Sequence, residues 1–247
     1  MAAIISAALV GFFVGMAGTA CGGLSVLAWR RPSRLAQAWL IGISSGIMLA
    51  VVFFDLWPEA WHTGGAPFLA VGTGLGVILI GLFDYVLPRF PVAGGERMSK
   101  AAKTGFLIGL GIGTHNFPEG VALGTAYIAA RTTAEWRSLA LLMGLHNIPE
   151  GVIMAASLRL GWISRGKIAA ALILVEIPMG LGAAVGGFFG RLSAPAVATA
   201  LAFAGGAMLA VVFMELLPMG EEAGGRLAAW GGTVLGLLAG VIMTKLV

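Results

Sequence analysis

Apolar residues run along this chain in long blocks, separated by short segments that carry most of its charge. A helix of about 20 apolar residues crosses the hydrocarbon core of a bilayer. Eight blocks of that kind are predicted as spans, over 4–28, 36–57, 67–87, 104–130, 138–158, 168–190, 196–218 and 227–246. The expected fold class is an all-α integral membrane protein with eight transmembrane helices.

Composition agrees. The chain of 247 residues is 59% hydrophobic and only 11% charged, whereas a soluble domain carries about 25% charged residues. Its 39 glycines suit close helix–helix packing, where small side chains let backbones approach. The net charge of +4 would suggest a nucleic-acid partner in a soluble protein. Here the basic residues fall in loops and read as topology signals. Arg30, Arg31 and Arg34, then Arg89, Arg97, Lys100 and Lys103, then Arg159, Arg165 and Lys167, and finally Arg226 fall on one side. Arg131, Arg137, Arg191 and Lys245 fall on the other. The richer side is expected in the cytoplasm, with both termini outside a cell (inner) membrane. Trp57, Trp61, Trp136, Trp162 and Trp230 sit near span ends, as an aromatic belt would. Cys21 is the single cysteine, which excludes an internal disulfide and a multi-cysteine metal site. It is expected to be buried and inert, in a first span that is retained because no basic segment precedes it.

The chain repeats itself. Gly46-Ile47-Met48-Leu49-Ala50-Val51-Val52-Phe53-Phe54-Asp55-Leu56-Trp57-Pro58 returns 160 residues later as Gly206-Ala207-Met208-Leu209-Ala210-Val211-Val212-Phe213-Met214-Glu215-Leu216-Leu217-Pro218. These are the second and seventh spans, expected to run in opposite directions. A 3+2+3 inverted repeat results: residues 1–88 form the first three-helix repeat, 104–158 a central hairpin, and 168–247 the second repeat, within one transmembrane domain. Secondary transporters are often built so.

The central hairpin carries the chemistry. His115-Asn116-Phe117-Pro118-Glu119-Gly120 recurs 31 residues later as His146-Asn147-Ile148-Pro149-Glu150-Gly151. Helical residues four apart share a face, so His115 with Glu119, and His146 with Glu150, each point one way. Pro118 and Pro149 each remove a backbone hydrogen bond, which is tolerated at membrane depth beside protein or a cavity. Two such helices face to face offer imidazoles, carboxylates and amides, a mixed N/O set suited to zinc and other first-row divalent metals. Ionisable residues are expensive in lipid, and two copies argue for function over helix linkage. Glu176, beside Pro178, is a third deep carboxylate, and Met48 a possible thioether ligand. Asp55, Glu59 and His62 cluster near the outer end of the second span, with Glu215 at the inner end of the seventh, where acids would draw cations to the two mouths. Asp84 reads as structural.

These motifs together resemble the ZIP (Zrt/Irt-like) metal transporters, most closely the compact prokaryotic members. The resemblance covers essentially all eight spans. It implies a binuclear centre. One site would use His115, Glu119, His146 and Glu150, with Met48 reaching in; the second would use Asn116, Asn147 and Glu176, with Glu119 and Glu150 bridging. It places Asp55 at the external entrance and suggests a homodimer and an elevator-like motion. The histidine-rich third loop of many eukaryotic members is missing here, so metal sensing by that loop is not expected.

The resulting expectation is a transporter, not an enzyme. Zn2+, with iron, manganese, cobalt or cadmium as further candidates, would enter the cytoplasm down a gradient. No G-x-x-x-x-G-K-[ST] loop occurs, so ATP hydrolysis is not expected. Protons compete with metals for such ligands, so the transport rate should depend on pH. An intramembrane metalloenzyme is the main alternative, but H-E-x-x-H is absent and the repeat would be unexplained. Efflux of the same metals is the other.

Overall fold

The computed structural model describes residues 1–28, 32–86, 100–130 and 133–246. Arg30, Arg31, Arg89, Arg97 and Arg131 lie outside the described residues, as does the side chain of Asp84. No strand occurs among the described residues. The helices are α1 Ala2–Ala28, α2 Arg34–Val51, α3 Trp57–Gly64, α4 Ala66–Val86, α5 Lys100–Ala129 and α6 Thr133–Leu160. After them come α7 Arg165–Leu174, α8 Ile177–Phe189, α9 Ala194–Val211, α10 Leu217–Gly224 and α11 Arg226–Leu246. Among the described residues, seven helices or continuous helical runs are long and apolar enough to cross a membrane. The remaining expected span, α5, has 30 residues. The chain is a multi-pass, all-α membrane protein.

Three spans differ from expectation. The second and seventh do not stop at Pro58 and Pro218. Each passes through one wide π-turn, Val52–Leu56 and Val212–Leu216, and continues to Gly64 and Gly224. A proline cannot donate to the carbonyl four residues back, and its ring crowds that carbonyl. A turn bonded five residues back, as Trp57 N–H is to Val52 O, accommodates it. The sixth span is broken rather than continuous: α7 ends at Leu174, α8 begins at Ile177, and Glu176 sits in the break. Pro118 and Pro149, by contrast, lie inside unbroken helices.

The helices pack through glycine, and the repeat offset is kept in space. A Cβ on Gly46 would fall on the carbonyl of Thr233, and one on Gly206 would fall on that of Thr73. Gly76 meets Phe203 O, and Gly236 meets Ile43 O in the same way. Each pair maps onto the other by adding 160 to one partner and subtracting it from the other. The contacts advance together along both chains, so α2 lies parallel to α11, and α4 parallel to α9. Likewise Gly22 meets Ile148 O in α6, while Gly182 meets Phe117 O in α5. Contacts this close exclude any side chain and favour dispersion over a hydrophobic force that lipid does not supply. Both extended spans end on glycines of positive φ, Gly65 at 78° and Gly225 at 94°.

Two helix groups result. α1, α5, α6 and α8 pack on one another, and α2, α4, α9 and α11 form the second group, with α3 on α9 and α10 on α2. The groups meet where α5 lies on α9 and α6 on α2. Cys21 is exposed, contrary to expectation. The packed face of α1 is Gly11, Gly15, Gly18, Gly22 and Val26, and Cys21 lies a quarter-turn off it.

Candidate metal centre

Most of the polar side chains buried among the described residues belong to the expected centre. His115, Asn116 and Glu119 on α5, His146, Asn147 and Glu150 on α6, and Glu176 at the α7–α8 break are each at most 2% exposed. The helical spacing brings His and Glu to one face of each helix, and the two faces meet crosswise. His146 Nε2 lies 3.1 Å from Glu119 Oε1, and His115 Nε2 lies 3.2 Å from Glu150 Oε2. The four do not close around one point. Among the described residues no three His, Cys, Asp or Glu side chains gather as a ready cation cage. They pair across the helix interface instead.

The remaining polar atoms are conspicuous for what they lack. His115 Nδ1, Asn116 Oδ1, Asn147 Oδ1, Glu176 Oε2 and both oxygens of Glu119 are buried without a hydrogen bond. The contact of His146 Nε2 with Glu119 is close but not aligned as one. Each orphaned polar atom in an apolar interior costs about 1–3 kcal/mol, and most buried polar groups in native proteins are satisfied; away from the centre, Trp57 Nε1 and Thr73 Oγ1 are also buried without a partner. The atoms of the centre are electron-pair donors, apart from whichever histidine nitrogen carries the proton. A divalent cation is the partner that such a set would satisfy.

Other partners hold the set in place. Thr19 Oγ1 donates to Glu176 Oε1 at 2.5 Å. Asn116 Nδ2 donates to Val175 O at 3.0 Å, which fastens α5 to the helix break. Asn147 Nδ2 faces Met179 Sδ at 3.9 Å. His146 Nδ1 lies 3.1 Å from Leu142 O, which fits an N–H at Nδ1. Ser44 of α2 donates to His146 O at 3.0 Å and lies 3.4 Å from Glu150 Oε1. Gly15 makes room for Glu176: a Cβ there would strike Oε2 of that carboxylate and Met179 Sδ. Thr19, Ser44 and Met179 were not anticipated. Only their placement as small or soft polar residues in apolar spans hinted at them. Met48 is fully buried on α2, one turn beyond Ser44.

Asp55, Glu59 and His62 are brought together, lining a cavity of about 620 Å³ with Thr63, Ala126 and Ala194. It opens between the two helix groups, at the end of α2 and α3. Glu215, on the π-turn after α9, stands apart from it. Its Oε2 would lie 3.0 Å from a Cβ on Gly111, one turn before His115. Asp55 and Glu215 thus occupy equivalent π-turns.

Residues 92–247 match the family described as ZIP Zinc transporter. The chain is 31% identical to the Zinc transporter ZupT of Akkermansia muciniphila, over 93% of this chain and 92% of that protein.

The chain belongs to the ZIP family.

It is 30% identical to the Zinc transporter GufA of Myxococcus xanthus, over 97% of this chain and 98% of that protein. It is also 32% identical to the Zinc transporter ZupT of Enterobacter sp., over 83% of each. Family membership makes this ZIP protein a membrane transporter and not an enzyme, and removes the metalloenzyme alternative.

Proposed function

We propose that this ZIP protein carries divalent transition-metal ions, zinc foremost, through the bilayer into the cytoplasm by way of the α5–α6–Glu176 centre. The observation that carries the proposal is the set of buried donor atoms without hydrogen bonds, gathered on facing helices in a membrane transporter family. One ion would take His115, Glu119, His146 and Glu150, with Met48 as a soft ligand. A second would take Asn116, Asn147 and Glu176, with Glu119 and Glu150 shared. Binding would turn His and Glu from each other toward the ions, exchanging two buried ion pairs for coordination bonds. Iron, manganese, cobalt and cadmium suit the same donors.

Asp55, Glu59 and His62 would collect cations at the outer mouth, and Glu215 would receive them beyond the centre. The equivalent positions of Asp55 and Glu215 in a 3+2+3 inverted repeat support this, with 1–88 and 168–247 as repeats around the 104–158 hairpin. The basic loops support termini outside a cell inner membrane. The division into two helix groups supports alternating access by motion of one group against the other. A homodimer is proposed from the family alone.

Direction is tested in cells. Expression should raise cell-associated zinc above that of cells making Glu119→Ala, in medium where zinc limits growth. A fall in cellular zinc would reverse the direction and establish efflux.

A further inference from the structure

Ser44 reaches out of its own helix group into the centre. It is fully buried, and its one hydroxyl proton is shared between His146 O at 3.0 Å and Glu150 Oε1 at 3.4 Å. Both acceptors belong to α6, in the other group. Since Glu150 Oε2 faces His115 at 3.2 Å, the carboxylate is held at both oxygens.

The repeat supplies an internal comparison. Ser44 corresponds to Ala204, 160 residues on, and α9 packs on α5 as α2 packs on α6. Ala204 is also fully buried, and its methyl offers no donor. Correspondingly, neither oxygen of Glu119 has a hydrogen bond. Two carboxylates with the same local sequence are therefore restrained differently: Glu150 is bonded by His115 and by Ser44, and Glu119 by neither its histidine nor a hydroxyl.

We propose that Ser44 is a positioning residue that pre-orients Glu150 as the anchoring carboxylate for the incoming cation, leaving Glu119 as the one that swings. The proposal rests on the reading of this centre as the cation site. A carboxylate fixed by a hydrogen bond has less rotamer freedom to lose when an ion binds. Outer partners of metal ligands typically contribute about 10–100-fold to affinity. The hydroxyl also ties the carboxylate to the opposite helix group, so ion capture is registered where the groups meet.

The test compares zinc flux in proteoliposomes and zinc binding to purified protein for four forms: native, Ser44→Ala, Ser44→Thr and Ser44→Ala/Ala204→Ser. Ser44→Ala should raise half-saturating zinc about tenfold while maximal flux holds. Ser44→Thr, which keeps the hydroxyl, should stay near native. The double variant moves the restraint to Glu119 and should recover most of the loss. An unchanged half-saturation in Ser44→Ala overturns the proposal, as does an equal loss in Ser44→Thr or no recovery in the double variant. Should Ser44→Ala fail to insert, Ala204→Ser alone decides: a second restraint should lower half-saturating zinc, and no change overturns the idea. A native protein that neither binds nor transports zinc removes the cation reading itself, which is a different outcome from native flux with an indifferent Ser44.

Discussion

His146 Nε2 stands 3.1 Å from Glu119 Oε1 on the neighbouring helix, and neither atom is aligned in a hydrogen bond. With its counterpart, His115 to Glu150 at 3.2 Å, this makes a crossed pair of imidazole and carboxylate in a fully buried interface. Taking one partner from a buried ion pair costs about 3–5 kcal/mol, because the other is left uncompensated. Glu119→Ala should therefore lower thermal stability as well as abolish zinc binding. His146→Ala/Glu119→Ala together should recover stability but not binding. Thermal unfolding in detergent beside equilibrium zinc binding would separate the two effects. Retained zinc affinity in either variant would remove the pair from the site.

Thr19→Val removes the 2.5 Å hydrogen bond to Glu176 with little change of volume. A hydrogen bond to a charged group is worth about 1.5–3 kcal/mol, so Glu176 should become mobile and half-saturating zinc should rise about tenfold. Equilibrium binding would measure it. Thr19→Ser should keep native affinity, and a Thr19→Val protein that binds like the native one would show the bond to be incidental.

Gly46 and Gly206 face Thr233 O and Thr73 O in equivalent contacts. Gly46→Ala and Gly206→Ala should each destabilise the fold by about 1–3 kcal/mol through overpacking, and by similar amounts. Unfolding midpoints in detergent would check this. One variant near native and the other severely weakened would mean that the two halves are not packed alike.

Asp55, Glu59 and His62 line the cavity at the end of α2 and α3 without touching the centre. Asp55→Asn/Glu59→Gln should raise half-saturating zinc while maximal flux holds, and should flatten the dependence of flux on ionic strength. Flux assays at two salt concentrations give the readout. A lost maximal rate would instead place these carboxylates on the obligatory path.

A ligand that binds only the folded protein stabilises it by about 2.7 kcal/mol at 100 times its Kd. Zinc should raise the unfolding midpoint of the native protein, and a chelator should return it. Glu150→Ala should show no zinc response. A zinc shift unchanged in that variant would locate binding elsewhere.

The spans and the buried His–Asn–Glu cluster of α5 and α6 were legible because each signal was redundant. Apolar blocks of membrane length recur along the whole chain, and H-N-x-P-E-G occurs twice, holding two of the three histidines. What escaped was carried by single residues or by geometry. Thr19 and Ser44 are small hydroxyls in apolar helices, where bonding to a nearby carbonyl is the usual fate, as for Thr125 to Val121 O. Pro58 and Pro218 signalled trouble in their helices. Whether a helix ends or widens at a proline depends on the residues beyond it, and here both runs continue to a glycine of positive φ. Pro118 and Pro149 read as loosened backbone and Pro178 only as the neighbour of a deep carboxylate, yet it is the last that accompanies a break. Cys21 was misplaced because a helix of small apolar residues shows no polar face. The packed side of α1 becomes visible only from the glycines that α6 and α8 cover.

The most direct measurement of the central claim is tracer zinc flux into proteoliposomes holding purified native protein, Glu119→Ala or His146→Ala. The account predicts saturable flux in the native protein and its loss in both variants, with all three forms inserted equally. Native-level flux through either variant would contradict it, because zinc would then be crossing by a path that avoids the crossed histidine–glutamate pairs.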